Sequence, residues 1–381
     1  MIHELRIHAF RNLSQVSLCP TRCNVIIGKN GSGKTSLLEA VFLLSRGKSF
    51  RHHEPRRYIQ HRTQFCAVWA RIDNHKTIAI QKQLGASGLA NTLLKVNQSV
   101  VSGQSTLSFL LPMLLVDPTG MSVLEEGSAN RRQLLDWLAF HVEPDFYPKW
   151  LSYQRLLKHR NALLKFNVLP TQELLAWDRE LCECADVLHG CRQAIFDRWQ
   201  GFFEEMIGKL IPSHQGRLSL NYQPGFDVQV GLFDTLRQRM VQDQDLGHTR
   251  IGAHRADLMV VFKNISDCGR GVREQAAHVL SRGEKKLLIT ALKLSQLQLI
   301  CEHLSEVKPV VLIDDVDAEL DGEAIEVLLG TVLALPCQLF ITSLQESTAE
   351  WVRKKMAKFG QEDQLSLFRV EHGSVQKQDW A

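Results

Sequence analysis

Hydrophobic and polar residues alternate over several short stretches of this chain, and a period of two is typical of β-strands. The alternating stretches are residues 2–9, 14–18, 65–72, 76–84 and 93–101. A turn-rich segment from Gly85 to Asn91 is predicted as a hairpin loop. The first third of the chain is therefore predicted to contain a β-rich edge.

A helical pattern begins near Asn130 and predicts a first helix that ends at residues 167–170. A second helix is predicted from Thr171 to Leu210, about 60 Å long if unbroken at ~1.5 Å per residue, and Pro212 ends it. Bends are predicted at Gly190, Gly201 and Gly208. We expect the two helices to form an antiparallel arm, and the alternative is a plain helical subdomain. The β-rich pattern returns near residue 246, with a strand over 258–262.

A glycine-rich segment follows the short apolar stretch 23–27 and matches the phosphate-loop pattern G-x-x-x-x-G-K-[ST]. The apolar spacing of 35–44 predicts the helix that this loop requires. Backbone N–H groups of such a loop surround phosphate oxygens at a helix N-terminus, which predicts ATP binding. Lys34 is expected to reach the β- and γ-phosphates, and the Thr35 hydroxyl to hold Mg²⁺. The predicted nucleotide-binding residues are Gly28, Lys29, Asn30, Gly31, Ser32, Gly33, Lys34 and Thr35.

The apolar run 310–313 ends in two acidic residues, Asp314 and Asp315. A buried strand can deliver carboxylates to a metal at its C-terminal end in this way. We expect Asp314 to bind Mg²⁺ and Asp315 to act as general base toward the attacking water. Because Asp is one carbon shorter than Glu, slow turnover is predicted.

Between these two motifs, Leu280-Ser281-Arg282-Gly283-Glu284 precedes a helix with periodic apolar residues. Ser281 is predicted at the helix N-cap, with Glu284 completing a capping box. An ordinary capped helix is the alternative. L-S-x-G shortly before an acid-tipped strand resembles the signature sequence of ABC-type ATPases, in which the signature serine and helix end touch the γ-phosphate held by the opposite subunit. This resemblance implies that Ser281 and Gly283 contribute to a composite site in a homodimer.

Other stretches carry a more specific resemblance, which runs over nearly the whole chain. They are residues 10–13, 47–51, 131–137, 158–164, 252–258, 312–316, 319–321 and 368–373. On these residues the chain resembles the RecF family of bacterial recombination mediators. The family usually has proline at the position of Ala253 and an acidic residue near Thr119, so this chain departs from it at both positions.

The resemblance implies an α/β fold: an ABC-type P-loop ATPase head with a mixed sheet, discontinuous in sequence, and an inserted antiparallel helical arm. It also implies an ATP-dependent homodimer on duplex or gapped DNA that cooperates with RecR in loading RecA at gaps. By the same resemblance, Asp321 faces the other subunit and Arg11 contacts the nucleotide. The expected division is 1–125 for the first part of the head, 126–245 for the arm and 246–381 for the second part of the head.

Composition adds limits to this picture. The 381 residues exceed the usual size of a single core, and 44% hydrophobic with 23% charged residues is typical of a globular protein in water. The start of the chain does not resemble a signal peptide, so a cytoplasmic protein without a membrane partner is expected. The nine cysteines form no C-x-x-C pair, which argues against a zinc site. Helix packing is predicted for Cys182, Cys184 and Cys191.

The net charge of +4 gives no global attraction to DNA, so a DNA site must be a local basic patch. The candidates are Arg46, Lys48, Arg51, His52, His53, Arg56, Arg57 and Arg62, and further Arg131, Arg132, Arg155, Lys158 and Arg160. Solvated basic faces or local salt bridges are the alternative. No aromatic-interleaved motif for stacking single strands is evident, so recognition of the duplex backbone is expected.

Two other classes of ATPase stay open as alternatives. The head of a chromosome-organising SMC-like ATPase requires long coiled coils, and the 245 residues between the phosphate loop and the signature are too few for them. The ATPase of a membrane importer would lack the Phe10-Arg11-Asn12 segment and the arm. No acidic metal cluster follows the head, and no nuclease activity is expected.

Overall fold

The computed structural model describes residues 1–85, 90–117, 120, 122–166, 171–263, 274–304 and 306–379. The chain forms two compact units. Unit 1 comprises Met1–Thr119 with Cys301–Ala381, and unit 2 comprises Gly120–Ile300. Unit 1 is therefore discontinuous in sequence. Residues 246–300 belong to unit 2 together with the helices that precede them, whereas the expected division assigns 246–381 to the head. The division into head and arm therefore stays a prediction.

One sheet of unit 1 is antiparallel and has six described strands in the order β2-β1-β4-β5-β6-β7. Its strands are β1 (Ile2–Phe10), β2 (Leu13–Leu18), β4 (Phe65–Ile72), β5 (Thr77–Leu84), β6 (Ala90–Val96) and β7 (Ser99–Val101). The predicted strands are confirmed, with one correction at 93–101. Asn97 and Gln98 have φ values of 48° and 66°, and this left-handed pair makes a two-residue turn between β6 and β7. The predicted hairpin loop 85–91 extends too far, because Ala90 and Asn91 belong to β6 and pair with Leu84 and Gln83 of β5. Its residues 86–89 lie outside the described part.

The second sheet of unit 1 is mixed and has the order β14-β13-β3-β12-β11-β8 among the described strands. It consists of β3 (Cys23–Ile27), β8 (Met113–Val116), β11 (Val310–Ile313), β12 (Gln338–Ser343), β13 (Leu365–Glu371) and β14 (Ser374–Gln378). Neighbouring strands pair parallel along the row β8, β11, β12, β3 and β13. Among the described strands of this sheet, β14 alone is antiparallel to its neighbour, β13. The carboxyl ends of five strands therefore meet at one edge, where α/β sheets bind ligands.

The helices of unit 1 are α1 (Lys34–Arg46), α2 (Gln104–Leu110), α11 (Val316–Glu319), α12 (Gly322–Ala334) and α13 (Glu346–Lys358). Helix α1 is buried from Ser36 through Ser45 and shares one hydrophobic core with the inner faces of both sheets. Burial on every side explains why its sequence is almost continuously apolar.

Unit 2 contains α3 (Ser122–Glu125), α4 (Ser128–Val142), α5 (Phe146–Leu163), α6 (Thr171–Leu210), α7 (Leu232–Gln238), α8 (Met240–Leu246), α9 (Ala276–Val279) and most of α10 (Arg282–His303). Its strands β9 (Leu218–Gln223) and β10 (Asp257–Phe262) pair antiparallel. The predicted strand over 258–262 is confirmed as part of β10.

The first predicted arm helix is in fact two helices, α4 and α5. Pro144 disfavours helical backbone at the residue before it, and Glu143 has extended angles of φ −107° and ψ 106°. The predicted end of that helix at 167–170 lies outside the described residues. The second predicted helix is confirmed at Thr171–Leu210 and continues through Gly190, Gly201 and Gly208.

Helices α5 and α6 are antiparallel. Arg160 near the end of α5 contacts Asp178 near the start of α6, and the Arg192 guanidinium further along α6 lies 5.8 Å from the ring of Phe146 at the start of α5. Cys182 and Cys184 are buried in α6, and Cys191 is half-buried. None of the described helices is long and apolar enough to cross a membrane.

Candidate functional site

The segment between β3 and α1 has the backbone that a phosphate loop requires. Gly31 and Gly33 have φ values of +75° and +121°, where residues with a Cβ are strained. A Cβ on Gly28 would lie 2.4 Å from the carbonyl oxygen of Val370 in β13. Glycine is therefore needed both for the turn and for close packing. The first turn of α1, whose N–H groups have no acceptors within the helix, begins directly at Lys34.

Lys34 is 4% exposed, and its ammonium group lies across the loop. Its Nζ donates to the carbonyl oxygens of Gly28 at 2.8 Å and Lys29 at 3.3 Å. The carboxylate oxygen Oδ1 of Asp315 is 3.8 Å from the same Nζ. The structure thus brings together the predicted phosphate-binding lysine and the predicted general base.

Thr35 and Asp314 are also in contact. The Thr35 hydroxyl donates to Asp314 Oδ1 at 3.1 Å, and the hydroxyl of Thr342 in β12 donates to the same oxygen at 2.9 Å. The Asp315 N–H donates to Thr342 Oγ1 at 2.7 Å, and Asp315 has φ 43°, a left-handed value that is unusual for a residue other than glycine. Thr342 therefore fixes both acids, although sequence reasoning did not identify it.

Burial raises the pKa of Asp314, and the neighbouring carboxylates of Asp315 and Asp117 raise it further, although hydrogen bonds from Thr342 and Thr35 partly offset these effects. The Asp315 oxygen Oδ1 is buried and has no hydrogen-bond partner among the described residues. Clustered carboxylate and hydroxyl oxygens beside a phosphate loop are the ligands that Mg²⁺ prefers. These residues therefore fit a bound Mg²⁺, with Thr35 and Asp314 as the side chains to hold it.

Two more distant segments brace the phosphate loop. The Asn12 side chain donates from Nδ2 to the carbonyl oxygen of Ser32 at 2.9 Å, and the N–H of Gly373 donates to the same oxygen at 2.9 Å. Gly373 has φ +81°, and a Cβ there would lie 2.0 Å from the carbonyl oxygen of Asn12. Both residues belong to stretches that carry the family resemblance, but sequence reasoning assigned them no role.

Arg11 forms an ion pair with Glu39, a fully buried carboxylate on α1. Its Nη2 donates to Glu39 Oε1 at 2.8 Å, and the Ser49 hydroxyl also donates to this carboxylate. Arg11 further donates its backbone N–H to the carbonyl oxygen of Tyr58 at 2.7 Å. The side chain is thus engaged inside unit 1, and its contact with nucleotide stays a prediction.

The signature residues lie in unit 2, at the start of α10. The Ser281 N–H donates to Glu284 Oε2 at 2.9 Å and the Glu284 N–H donates to Ser281 Oγ at 3.3 Å, so the predicted capping box is present. The His214 ring also contacts Glu284 at 2.9 Å. Ser281 and Gly283 are exposed, and within the described part of the chain no atom lies within 4 Å of a Cβ built on Gly283. This helix end is therefore accessible to another molecule.

Asp321 is the N-cap of α12, because its Oδ1 accepts a hydrogen bond from the Ala324 N–H at 2.8 Å. Its backbone is extended and the residue is exposed. The predicted position opposite a second subunit stays a prediction.

The basic segment 46–62 is anchored at Ser49. The N–H groups of Arg51 and His52 both donate to Ser49 Oγ at 3.0 Å, and this hydroxyl in turn donates to the buried Glu39. Arg57 pairs with Glu54 at 3.2 Å. The exposed cations of the segment include Lys48, Arg51, Arg56 and Arg62.

Three of the other DNA candidates are engaged inside unit 2. Arg131 makes two hydrogen bonds of 2.9 Å to Asp257, and Arg132 donates to the carbonyl oxygen of Ala256 at 2.9 Å. Arg160 is fully buried and is excluded from a phosphate-contacting surface. Arg155 and Lys158 are exposed.

Of the two departures from the family pattern, Ala253 is buried. It begins a 3-10 turn after Gly252, and its carbonyl oxygen accepts a 2.7 Å hydrogen bond from Arg192 Nη1. Thr119 lies outside the described residues.

The RecF/RecN/SMC N-terminal domain family matches residues 1–366. The chain is 40% identical over 376 residues to the DNA replication and repair protein RecF of Acinetobacter baylyi, covering 98% of this chain and 99% of that protein. For the protein of the same name from Cellvibrio japonicus, the identity is 35% over 377 residues, with 98% of each chain covered.

Two solved structures share the fold. One is the recombination mediator protein RecF with ATP in the RecFOR pathway, with a TM-score of 0.79, 23% identity, and coverage of 99% of this chain and 97% of that chain. The other is the Smc head domain of Pyrococcus furiosus bound to the C-terminal domain of ScpA. Its TM-score is 0.55 and its identity 15%, with 100% of this chain and 96% of that chain covered. The predicted ATPase-head fold is confirmed, and with relatives this similar over nearly its full length, the chain belongs to the RecF family of DNA replication and repair proteins.

Proposed function

We propose that this protein is an ATP-dependent, DNA-binding recombination mediator. It hydrolyses ATP slowly, dimerises on duplex or gapped DNA in its ATP-bound state, and acts with RecR to promote RecA loading at gaps. The observation that carries the ATPase part is the convergence of Lys34, Thr35, Asp314 and Asp315 at one edge of the mixed sheet. Membership of the RecF family supports ATP binding and hydrolysis as well.

Phosphate binding uses groups that the loop already holds in place. Lys34 exchanges its loop carbonyls for phosphate oxygens, and this exchange keeps its ammonium group hydrogen-bonded throughout. The first-turn N–H groups of α1 and the positive end of its dipole favour the same anion. Thr35 and Asp314 would hold Mg²⁺, which would supply neutralisation of the phosphate charge.

Asp315 is the group that orients the attacking water and accepts its proton. The left-handed backbone and the hydrogen bond from its N–H to Thr342 hold its position, and its oxygen Oδ1, which accepts no hydrogen bond from the described residues, is available as an acceptor. Its side chain is one carbon shorter than that of Glu, which limits how closely the carboxylate approaches the attacking water. Slow turnover follows from this difference.

The other half of the site comes from a second copy of the chain. Ser281 and Gly283 form an exposed helix N-terminus, which is a suitable donor group for a γ-phosphate. In the dimer each nucleotide lies between the phosphate loop of one protomer and α10 of its partner. The basic segment 46–62 contacts the DNA backbone, because its exposed cations bind phosphates without reading bases.

ATP turnover measured against protein concentration, with and without duplex DNA and at two salt concentrations, tests the proposal. A composite site requires that the rate per chain rise with concentration and with DNA, and fall with salt. Ser281→Arg is expected to bind ATP normally but to lose dimerisation and turnover. A flat rate that DNA does not change, or normal dimerisation of Ser281→Arg, would contradict the clamp mechanism while leaving the nucleotide site intact.

A chromosome-organising head is the second candidate function, supported by the fold shared with the Smc head. Such a head would bind a kleisin-like partner. The absence of RecR binding in a direct binding assay, together with capture of a kleisin-like protein, would favour it.

A further inference from the structure

A third acid, Asp317, lies beside the proposed site, on helix α11 two residues after Asp315. Its carboxylate accepts hydrogen bonds from residues at and beyond the end of β12. Oδ2 accepts from the Ser343 hydroxyl and from the Leu344 N–H at 3.1 Å, and Oδ1 accepts from the Thr348 hydroxyl at 2.7 Å. One carboxylate therefore ties the segment after β11 to the segment after β12.

The donors to Asp317 are themselves held in place. Ser343 is the last residue of β12 and Thr348 lies in the first turn of α13, and both are buried. The Gln345 N–H donates to the Ser343 hydroxyl oxygen at 2.9 Å and closes the turn between the two elements. Gln345 is the N-cap of α13, but its own side chain makes no cap hydrogen bond. The Asp317 carboxylate lies at this helix end instead, where the partial positive charge of the helix favours an anion.

The preceding residue of β12, Thr342, holds the other end of the same segment. Its hydroxyl oxygen accepts from the Asp315 N–H at 2.7 Å, and the hydroxyl donates to Asp314 Oδ1 at 2.9 Å. Strands β11 and β12 pair in parallel, which brings their carboxyl ends side by side. Adjacent residues of β12 therefore fasten the segment 314–317 at both of its ends.

Asp315 depends on this fastening, because its backbone is left-handed, with φ 43° and ψ 59°. A residue with a Cβ adopts that region only at a cost, and it persists there where surrounding contacts enforce it. Its oxygen Oδ1 accepts no hydrogen bond from the described residues, and Lys34 Nζ is 3.8 Å away. The direction of the Asp315 carboxylate is therefore set mainly by the backbone.

We propose that Asp317 is a positioning residue for ATP hydrolysis. Its carboxylate holds the backbone of residues 315–317 against the turn after β12, and this keeps the Asp315 carboxylate aimed at the attacking water. The inference rests on the proposed role of Asp315 as general base and deepens it. Both oxygens of Asp317 already accept hydrogen bonds, so it acts through Asp315 and touches neither the nucleotide nor the water.

Loss of Asp317 should slow the chemical step without weakening ATP binding. A misplacement of about 1 Å in a catalytic group costs up to about a hundredfold in rate. The phosphate loop and Lys34 do not contact Asp317, so the affinity for ATP should stay unchanged. Asp317→Ala is therefore expected to lower the hydrolysis rate about ten- to a hundredfold at normal affinity.

The test is single-turnover hydrolysis of ATP with the full-length protein in excess, together with titration of a fluorescent ATP analogue. Thr348→Val removes one donor to Asp317 at nearly constant shape and should slow hydrolysis less than Asp317→Ala does. Thr348→Ser retains the hydroxyl and should hydrolyse ATP at nearly the normal rate. The double variant Asp317→Ala/Thr348→Val should be no slower than Asp317→Ala, because their shared contact is already lost. Rate effects that combine in full would contradict a shared role.

Asp363→Ala is the matched control, since Asp363 is an exposed aspartate of unit 1 in the 3-10 turn before β13. It should hydrolyse and bind ATP like the unaltered protein. Thermal unfolding of all the variants identifies general damage to the fold. If Asp317→Ala does not fold, Asp317→Asn takes its place, because it preserves the size of the side chain and one acceptor while replacing the other by a donor.

Three outcomes separate this inference from the proposed function. A normal hydrolysis rate in the Asp317 variant, with Asp315→Asn inactive in the same assay, would overturn the positioning role alone. Loss of ATP affinity in step with the rate would also overturn it, because the residue would then support the fold in general. Normal turnover in Asp315→Asn would contradict the proposed general base, and the positioning role would fail with it.

Discussion

The side-chain amide of Asn12 donates a hydrogen bond to the main-chain carbonyl of Ser32 at 2.9 Å, which ties the turn after β1 to the phosphate loop. The Gly373 N–H donates to the same oxygen, so segments from both ends of the chain converge on one carbonyl of the loop. The loop is thus preorganised by contacts outside its own motif. This arrangement gives the first two predictions.

Replacing Asn12 with alanine is expected to weaken ATP binding about two- to tenfold. One neutral hydrogen bond contributes roughly 1 kcal/mol, and without it the loop loses part of its preorganisation. Titration with a fluorescent ATP analogue measures the change. Asn91→Ala, at an exposed position in β6, is the control and should have unaltered affinity. Equal affinity of Asn12→Ala and the unaltered protein would mean that the loop holds its shape without Asn12.

Gly373→Ala should destabilise the fold by more than Gly360→Ala. Both glycines have positive φ, +81° and +65°, so alanine costs about 1–2 kcal/mol at either position. Of the two positions, only Gly373 places the new Cβ against backbone, at 2.0 Å from the carbonyl oxygen of Asn12, whereas no atom of the described residues lies within 4 Å at Gly360. Urea unfolding of the two variants tests this difference. Equal free energies of unfolding would show that the contact relaxes without cost.

Asp315→Asn is expected to bind ATP with near-normal affinity and to lose turnover, because an amide cannot accept the proton of the attacking water. Lys34→Ala should instead lose ATP affinity, since it removes the cation that contacts the phosphates. Binding and single-turnover assays on both variants distinguish the two roles. Normal turnover in Asp315→Asn would assign the base to another residue, and normal affinity in Lys34→Ala would remove the phosphate-loop assignment.

A buried charge cluster in unit 2 predicts a large loss of stability for Arg160→Met. Arg160 is fully buried and donates to Asp178 at 2.8 Å and to Asp243 at 2.9 Å, and the variant leaves both carboxylates without their cation. The expected cost is about 3–5 kcal/mol in the free energy of unfolding. Arg155→Met, at an exposed position on the same helix, is the control and should change it little.

Adding Asp178→Leu and Asp243→Leu to Arg160→Met should restore much of the lost stability, because a well-packed apolar cluster can replace a buried ion network. If Arg160→Met is no less stable than Arg155→Met, water must reach the two carboxylates. Chemical denaturation of the single and triple variants gives the comparison.

His254 predicts how stability depends on pH. Burial lowers the pKa of His254 from 6.5 to about 4, and the neighbouring cations Arg255, Arg132 and Arg160 lower it further, although a hydrogen bond with the Thr249 carbonyl partly opposes the shift. As the pH falls, His254 therefore becomes protonated near pH 6.5 in the unfolded chain but only near pH 4 in the folded chain. His254 makes the protein less stable as the pH falls through this window.

His254→Gln should reduce the slope of unfolding free energy against pH between 6.5 and 4, by up to about 1.4 kcal/mol per pH unit. Burial raises the pKa of Asp178, so this residue has the opposite effect on the pH dependence of stability. Because His254→Gln retains Asp178, this contribution cancels when the two pH profiles are subtracted. His248→Gln, an exposed histidine nearby, is the control. Parallel pH profiles for His254→Gln and the unaltered protein would contradict the prediction.

Much of the local structure was determined by the sequence alone. Alternation with period two predicted the strands of the antiparallel sheet, and the phosphate-loop glycines, the acids after β11 and the Ser281–Glu284 capping box were predicted at the positions where they occur. These features depend on short-range backbone sterics and on residues only a few positions apart. Pro144 is a short-range signal too, but the apolar spacing on both sides of it predicts one helix where there are two.

Only the tertiary structure decided which distant residues act together. Sequence reasoning gave Thr342, Asn12 and Gly373 no role. In the structure Thr342 fixes Asp314 and Asp315, and Asn12 and Gly373 both donate to the Ser32 carbonyl, because the fold brings together residues that are far apart in the sequence. Strand register likewise places Arg6, Trp69, Ala79 and Lys95 in one row across the antiparallel sheet. Register and burial are set by the packing of the whole unit, and a local pattern does not contain that information.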